Sequence, residues 1–274
     1  MSDRPAIGIF DSGIGGLSVL RSLVEVLPDH SFLYVADQVH VPYGRRPLEE
    51  VQAFSFEITR WLLDQGCEAI IVACNTASAA ALHELRIAFP DVPFVGMEPA
   101  VKPAAEQTQT GVVGVIATPA TFQSQLYSSV VERFASGVTV LEDTCPGLVE
   151  EIEAGHLIGE KTRRILEKAL NPMLDKGIDT VVLGCTHFPF VIPLIQQIVG
   201  SKVRVVDPAP AVARQAVRVI GETVDRSIGL KRIDLFTTGD MSALKKIIPA
   251  LFPFEININN LTWDESNRFL HRQG

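Results

Sequence analysis

Short apolar segments alternate with longer amphipathic segments along almost the whole chain, and this alternation constrains the fold more than any other feature. The apolar segments are rich in valine, isoleucine and leucine, which is typical of strands buried on both faces of a sheet. We therefore predict strands at residues 6–10, 32–36, 69–73, 94–97, 112–117, 138–141, 180–183, 203–206 and 233–236.

The segments between these strands carry apolar residues at three- and four-residue spacing, which is typical of amphipathic helices. They include residues 48–65, 76–88, 161–176 and 209–228. Repeated alternation of strand and helix predicts an α/β fold, with mostly parallel sheets covered by helices on both faces. The length of 274 residues favours two lobes, because each would still have a substantial core.

Charge and hydropathy exclude two classes of partner. The net charge is −8 and no long lysine or arginine cluster is present, so nucleic acid is not expected. No apolar run approaches the ~20 residues of a membrane span, so a membrane is not expected either. Residues 1–4 lead straight into the first predicted strand without a signal peptide, which predicts a cytoplasmic protein.

Two of the four cysteines lie where a predicted strand runs into a polar turn. Cys74 and Cys185 hold these positions, and catalytic groups of open α/β sheets collect at the carboxyl ends of strands. Two such thiols could face one substrate from opposite sides, which suits inversion at carbon. Cys67 and Cys145 are interpreted as small buried apolar residues. The spacing of the four indicates neither a metal site nor a disulfide.

The polar neighbours of the two strand-end thiols favour reactivity. Each thiol precedes a helix-like segment, and a helix start favours the thiolate form. A free cysteine has a pKa near ~8.5, so a base must lower that pKa or accept the proton when substrate binds. Asp11 and His187 are the candidate assistants.

A glycine-rich segment, residues 11–16, follows the first strand. Its glycines allow a tight turn whose backbone amides could bind a small carboxylate. The spacing matches neither a Walker loop nor a dinucleotide fingerprint. Asp11 and Ser12 could instead simply cap the following helix.

Two further polar segments leave their roles open at this stage. The Pro-Tyr-Gly turn at 42–44 lies near the end of the second strand, so the Tyr43 hydroxyl could donate to a substrate carboxylate, although such a turn needs no function. Glu150, Glu151 and Glu153 are typical of a solvated helix face, although one of the three could point inward.

Alignment of the two cysteines reveals a weak internal similarity. Residues 67–73 and 178–184 then pair as two apolar strands that lead to the two thiols. This is consistent with a twofold internal repeat. A recurring α/β unit explains the same likeness.

Read together, these motifs resemble the motif set of the glutamate racemase family. The matching segments are 10–17, 42–44, 73–77 and 183–189, with further agreement at 114–118, Ser124, Tyr127 and 237–240. The resemblance therefore covers almost the whole chain in order.

The resemblance implies a cofactor-independent two-base mechanism that supplies D-glutamate for peptidoglycan. One thiolate removes the α-proton of glutamate and the opposite thiol reprotonates the carbanion from the other face. Cys185 would act as the base on L-glutamate and Cys74 on D-glutamate, with Asp11 assisting Cys74 and His187 assisting Cys185. The resemblance also implies a glutamate near the second thiol, which Glu153 matches loosely.

The resemblance further implies a set of substrate-binding positions, a domain division and an assembly. The family fold has two pseudo-symmetric α/β lobes with the active site in the cleft between them. Here residues 1–97 plus 209–274 would carry Cys74 and residues 98–208 would carry Cys185. A homodimer is expected. The positions expected to hold the substrate are Asp11, Ser12, Pro42, Tyr43, Gly44, Asn75, Thr76, Thr118, Thr186 and His187.

Some departures and rival functions remain. Residues 36–40 differ from the family's usual Gly-Asp-x-Ala-Arg, and Gly147 with Glu150 alters the segment after Cys145, which affects the Glu153 assignment. A racemase for aspartate or a hydantoin, and a non-catalytic amino-acid binding protein, are the alternatives. A pyridoxal-phosphate racemase would need a Schiff-base lysine, and nothing in the sequence singles one out.

Overall fold

The computed structural model describes residues 6–220, 232–264 and 269–272, and all nine predicted strands are present in it. The strands are β1 Ala6–Asp11, β2 Phe32–Ala36, β3 Cys67–Val72, β4 Phe94–Gly96, β5 Val112–Ala117, β6 Thr139–Asp143, β7 Thr180–Gly184, β8 Arg204–Val206, β9 Ile233–Thr237, β10 Asn257–Asp264 and β11 Phe269–Arg272.

The four predicted helices are also present over the described part of the chain. The α-helices are α1 Leu17–Val26, α2 Leu48–Asp64, α3 Asn75–Ala88, α4 Val101–Gln107, α5 Pro119–Phe122, α6 Gln125–Phe134, α7 Leu148–Glu153, α8 Glu160–Asp175, α9 Ile192–Val199, α10 Ala209–Ile220 and α11 Met241–Leu251. Short 3₁₀ helices occupy Gln38–His40, Tyr43–Arg45 and Phe188–Val191. The end of the predicted helix, 221–228, lies outside the described residues, as does the start of the chain at 1–4.

The strands form two sheets, which confirms the predicted α/β fold class. The first has the order β11-β10-β9-β2-β1-β3-β4 and the second has the order β6-β5-β7-β8. Every strand pair in the described residues is parallel except β10 with β11. Among the described helices, none is long and apolar enough to cross a membrane.

The sequence analysis missed β10 and β11. β10 reads Asn-Ile-Asn-Asn-Leu-Thr-Trp-Asp, so polar and apolar residues intermingle and no continuous apolar run exists. Its partner β11 is four residues long and forms the edge of the first sheet. The edge strands β6 and β8 are also partly exposed, but residues 138–141 and 203–206 are mostly apolar, which explains why they were found and β10 was not.

The chain divides into two compact units. The first contains residues 1–97 and 209–274, and the second contains residues 98–208. In the first unit the central strand β1 is buried along its whole length. In the second unit β7 is buried in the same way. Each unit therefore has a rigid central strand whose carboxyl end can position polar side chains.

Candidate active site

In the first unit, Asp11 and Cys74 lie at the carboxyl ends of neighbouring strands. Asp11 is the last residue of β1, and Cys74 comes two residues after β3 ends. The register pairs Phe10 with Val72, and the Ala73 amide continues this pairing by donating to the Phe10 carbonyl at 2.9 Å. Asp11 is fully buried and Cys74 is 5% exposed. The strand register thus brings both predicted residues to one end of the sheet.

The Asp11 carboxylate organises the glycine-rich turn. Its Oδ2 accepts hydrogen bonds from the amides of Gly13 at 3.2 Å and Gly16 at 3.1 Å. Helix α1 begins after Gly16, without a side-chain cap. A Cβ at Gly16 would lie 2.9 Å from the Asp11 Cβ and 3.1 Å from the Ala73 Cβ, so glycine is needed for this close approach. Asp11 therefore shapes the turn instead of capping α1, which was the alternative reading of the sequence.

Cys74 is the N-cap residue of the 14-residue helix α3. Its Sγ accepts a hydrogen bond from the Ala77 amide at 3.5 Å. The free amides and the dipole at a helix N-terminus place partial positive charge beside the sulfur. This position favours the thiolate form of Cys74.

Asn75 is the most informative neighbour of Cys74. It is 3% exposed, and neither side-chain amide atom has a hydrogen-bond partner among the described residues. A buried amide without partners costs free energy, so its presence at the start of α3 indicates a ligand that completes its hydrogen bonds. Thr76 follows and is also buried, at 2% exposure.

The Tyr43 hydroxyl has a different hydrogen-bond partner from the one that the sequence predicted. Tyr43 is 1% exposed, and its hydroxyl donates to Asp37 Oδ2 at 2.6 Å, so its single proton is not directed to a substrate. Burial, together with the charge of Asp37, raises the pKa of Tyr43 well above its usual value. Backbone groups of the buried Tyr43 and Gly44, beside the half-buried Pro42, are what this turn has left to offer a ligand.

In the second unit, Cys185 and Thr118 also lie at neighbouring strand ends. Ala117 of β5 pairs with Gly184 of β7, and each predicted residue comes next in its chain. Thr118 caps α5, because its Oγ1 accepts from the Thr121 amide at 3.3 Å. Thr186 is buried beside the thiol at 2% exposure.

Two side chains linked by a hydrogen bond support Cys185. His187 Nδ1 lies 3.7 Å from the Cys185 Sγ, and His187 Nε2 lies 2.6 Å from Glu153 Oε1. Burial alone lowers the pKa of an imidazole, but the hydrogen bonds to Cys185 and Glu153 outweigh it and raise the pKa of His187 well above its usual value. A protonated His187 places a positive charge next to the sulfur of Cys185.

Helix α7 is not the solvated face that the sequence suggested. Glu153 reaches His187, and Glu151 is 8% exposed and bonds Lys161 Nζ at 2.6 Å and His156 Nδ1 at 3.1 Å. Glu151 and Glu153 thus point toward partners. The simple charge pattern failed because ion pairs allow carboxylates to be buried on a helix.

The remaining cysteines, Cys67 and Cys145, are buried. Burial raises the pKa of Cys67 to about 12. Burial, with the nearby Asp143, also raises the pKa of Cys145 far above its usual value. Both environments favour the neutral thiol. Within the described residues, no group of histidine, cysteine and acidic side chains is arranged to hold a metal ion.

Asp37 is the residue that sequence reasoning missed. It is fully buried directly after β2, and it is hydrogen-bonded to Tyr43, His40, Thr238 and Trp263. The signal available in the sequence was an ionisable residue at a strand end, the same position held by Asp11. The Thr238 and Trp263 contacts were not predictable, because they come from about two hundred residues further along the chain.

Comparison with known proteins identifies the family of this chain. Residues 7–216 match the sequence profile of the Asp/Glu/hydantoin racemases. The chain belongs to this family. A glutamate racemase of Pseudomonas aeruginosa is 48% identical over 251 residues, which cover 91% of this chain and 95% of that protein.

Solved structures of racemases have the same fold. A glutamate racemase isoform of Bacillus anthracis aligns with a TM-score of 0.84 at 31% identity, covering 94% of this chain and 98% of the other. The Escherichia coli glutamate racemase, solved with L-glutamate and the activator UDP-MurNAc-Ala, aligns with a TM-score of 0.84 at 32% identity and the same coverage. The Asp/Glu/hydantoin racemase fold therefore extends over nearly the whole chain.

Proposed function

We propose that this racemase interconverts L- and D-glutamate through the thiols of Cys74 and Cys185. The similarity to named glutamate racemases supports the substrate. The observation that carries the mechanism is that each thiol lies at the carboxyl end of a largely buried strand, β3 or β7, and has its own device that places positive charge beside the sulfur. For Cys74 this device is the start of α3, and for Cys185 it is His187.

In the proposed reaction, the Cys185 thiolate removes the α-proton of L-glutamate. The C–H bond breaks, its electron pair stays on the α-carbon and its carboxylate, and the proton becomes the S–H of Cys185. The Cys74 thiol then donates its proton to the opposite face, which gives D-glutamate and a Cys74 thiolate. The reverse reaction exchanges the two roles, with Asp11 assisting Cys74 and Glu153 holding His187 in place.

Negative charge grows on the substrate carboxylate as the α-proton leaves, so catalysis requires donors placed at that position. We assign this task to the side chains of Asn75, Ser12, Thr76, Thr118 and Thr186 and to the backbone of residues 42–44. Asn75 is the strongest of these assignments, because its amide group has no partner to displace in the described part of the chain.

We also propose that the enzyme acts without a cofactor, in the cytoplasm and as a homodimer, and that its product supplies peptidoglycan synthesis. The family resemblance supports each of these proposals. Sedimentation velocity tests the dimer directly. Growth of a deletion strain with and without added D-glutamate tests the role of the product.

The deciding experiment incubates the purified protein with L-glutamate or D-glutamate in deuterated water without added cofactor. NMR follows deuterium at Cα and circular dichroism follows inversion. We expect both enantiomers to invert and each product to carry deuterium. If neither glutamate enantiomer exchanges while aspartate or a hydantoin does, glutamate is the wrong substrate; exchange of no substrate would leave a binding protein.

A further inference from the structure

The buried Asp37 carboxylate joins residues from two distant parts of the first unit. Its Oδ2 accepts the Tyr43 hydroxyl at 2.6 Å and lies 2.8 Å from Nδ1 of His40. Its Oδ1 accepts from the Thr238 hydroxyl at 3.0 Å and from Nε1 of Trp263 at 2.7 Å. One carboxylate thus connects the segment after β2 to a residue that follows β9 and to a residue of β10.

The energetics of this carboxylate depend on its partners. Asp37 is fully buried, so its partners must replace the water that it loses on folding. Each of its oxygens has two polar partners, and hydrogen bonds to a carboxylate are stronger than those between neutral groups. Loss of one donor leaves a buried acceptor short of a partner, which costs more than the same loss at the surface. The contacts therefore hold the residues around Asp37 firmly in one arrangement.

Further hydrogen bonds fix the segment between Asp37 and the turn at 42–44. The Val39 amide donates to Oγ1 of Thr238 at 3.0 Å, and the Thr238 amide donates to the Ala36 carbonyl at 3.1 Å. Nε of Arg46 donates to the His40 carbonyl at 2.6 Å, which joins the residues on either side of the turn. The turn is thus held by groups that lie outside it.

The turn lies beside the candidate catalytic groups of the first unit. The 3₁₀ helix of residues 43–45 contacts α3, the helix that Cys74 caps. Tyr43 and Cys74 belong to one cluster of buried core residues. The backbone amide of Asp37 donates to the Asp11 carbonyl at 3.0 Å, at the end of β1. A displacement of the turn would therefore change its position relative to both Asp11 and Cys74.

We propose that Asp37 is a positioning residue for substrate binding. Through Tyr43 it sets the place of the backbone at 42–44, and through Thr238 and Trp263 it ties that backbone to β9 and β10. A turn that is ordered before the ligand arrives binds it more tightly, because the cost of ordering is not met on binding. Asp37 transfers no proton in the reaction. The effect on glutamate rests on the proposed function of the turn, whereas the order of the turn does not.

Steady-state kinetics of the Trp263→Phe variant test the long-range contact. Phenylalanine keeps an aromatic ring but removes the N–H group that reaches Asp37. We expect the KM for glutamate to rise about fivefold in both directions, with kcat within about twofold of the wild type. Trp61→Phe is the matched control, because it makes the same substitution at a buried tryptophan of the same unit that packs on Phe236, and its KM should stay unchanged.

The Asp37→Asn variant tests the carboxylate itself. The amide has a similar shape but offers one acceptor oxygen in place of two, so the KM should rise about tenfold, again with kcat within about twofold of the wild type. A decrease of kcat with an unchanged KM would make Asp37 a proton-transfer group and the positioning role wrong. An equal rise of KM in Trp61→Phe would show a general loss of stability and would also overturn that role. If Asp37→Asn does not fold, the Trp263→Phe variant decides.

Amide hydrogen exchange, followed by mass spectrometry without substrate, tests the turn independently of the reaction. The amides of Arg45 and Arg46 donate to carbonyls of the turn. Peptides that contain these two amides should exchange about fivefold faster in Trp263→Phe than in the wild type, while peptides of α3 should not change. Unchanged exchange at the turn would contradict the proposal. If the wild type does not racemise glutamate, the proposed function is wrong, and the exchange result still decides whether Asp37 orders the turn.

Discussion

The two candidate thiols hold equivalent places in their units, yet different groups support them. Cys74 caps a 14-residue α-helix, and its sulfur accepts a backbone amide hydrogen bond. Cys185 is followed by a short 3₁₀ segment, and its sulfur contacts the imidazole of His187. The first thiol relies on the backbone, and the second relies on a charged side chain.

This difference determines which thiol responds to mutation and to pH. Backbone amides and a helix dipole do not titrate, so their effect on Cys74 is fixed once α3 has formed. An imidazole gains and loses a proton, and a single substitution removes it. The hydrogen-bonded pair of His187 and Glu153, which supports Cys185, should therefore be more sensitive to substitution and to pH than the start of α3, which supports Cys74.

The largest effect expected is loss of racemisation in Cys74→Ser and in Cys185→Ser. Each variant removes one acid/base group, and a hydroxyl is far less readily ionised than a thiol, so turnover should fall at least about a thousandfold. Racemisation followed by circular dichroism measures this. Cys67→Ser, which alters a thiol buried on a strand, is the control, and its turnover should stay near that of the wild type.

If either variant keeps near-normal turnover, the assignment of both thiols as acid/base groups is wrong. Far-ultraviolet circular dichroism and thermal unfolding must show that each variant is folded. A folded, active Cys74→Ser variant would show that the thiol at the start of α3 is not catalytic.

The next effect separates the two supporting devices. His187→Asn removes the charge beside Cys185 and keeps a side-chain donor, and we expect kcat/KM to fall about a hundredfold. Asp11→Asn removes a charge from the first unit but leaves α3 in place, and we expect a smaller decrease of about tenfold. Equal losses, or a larger loss for Asp11→Asn, would show that Cys74 depends on its carboxylate as much as Cys185 depends on its imidazole.

Isotope effects assign each loss to its thiol. The equilibrium constant of a racemisation is one, so kcat/KM must be equal in the two directions. A change in kcat/KM therefore cannot show which of the two proton transfers has slowed. With α-deuterated substrates, His187→Asn should increase the isotope effect on L-glutamate and decrease that on D-glutamate. The opposite pattern would exchange the roles proposed for Cys74 and Cys185.

The same contrast explains what could be predicted from the sequence. Runs rich in apolar residues gave nine of the strands, and a polar residue after such a run gave the places of Asp11, Cys74 and Cys185. These features are local, because a parallel sheet places consecutive strand ends together. Thr118 was expected only through the family resemblance. The domain division and the catalytic roles remain predictions.

Long-range side-chain contacts could not be predicted in the same way. The bond between Glu153 and His187 joins residues 34 positions apart and was not expected, because the family resemblance implied only a glutamate near the second thiol. The burial of the Tyr43 hydroxyl against Asp37 was not expected, because nothing in the turn sequence shows which carboxylate will lie beside it. β10 and β11 were missed because no more than half of the residues in either strand are apolar.

A smaller effect is expected at Asn75, where stability and function should separate. Asn75→Ala removes a buried amide that has no partner among the described residues, so the free energy of unfolding should stay the same or rise by ~1–3 kcal/mol. The KM for glutamate should rise about tenfold, because a substrate donor and acceptor are lost. Urea unfolding and steady-state kinetics measure the two quantities.

Ser78→Ala is the structural control for Asn75→Ala. The Ser78 hydroxyl lies on the same helix and bonds the Val72 carbonyl at 3.0 Å and the Met97 amide at 2.8 Å, so its loss should destabilise the fold. If Asn75→Ala destabilises the protein as much as Ser78→Ala does, Asn75 has a structural role and its amide group is not reserved for a ligand.

The smallest effect expected is a pH dependence of stability that is confined to the second unit. The folded-state pKa of His187 is raised well above its usual value of ~6.5, as the hydrogen bonds to Cys185 and Glu153 outweigh burial. The stability that protonated His187 contributes is therefore fully present below about pH 6.5 and is lost as the pH rises through the folded-state pKa. The difference in unfolding free energy between the wild type and His187→Asn should shrink steadily from about pH 6 towards alkaline pH. Asn75→Ala, which changes no titrating group, should show a constant difference from the wild type over the same range. A constant difference for His187→Asn as well would mean that the imidazole is neutral in the folded protein, and that the second thiol, like the first, depends on groups that do not titrate.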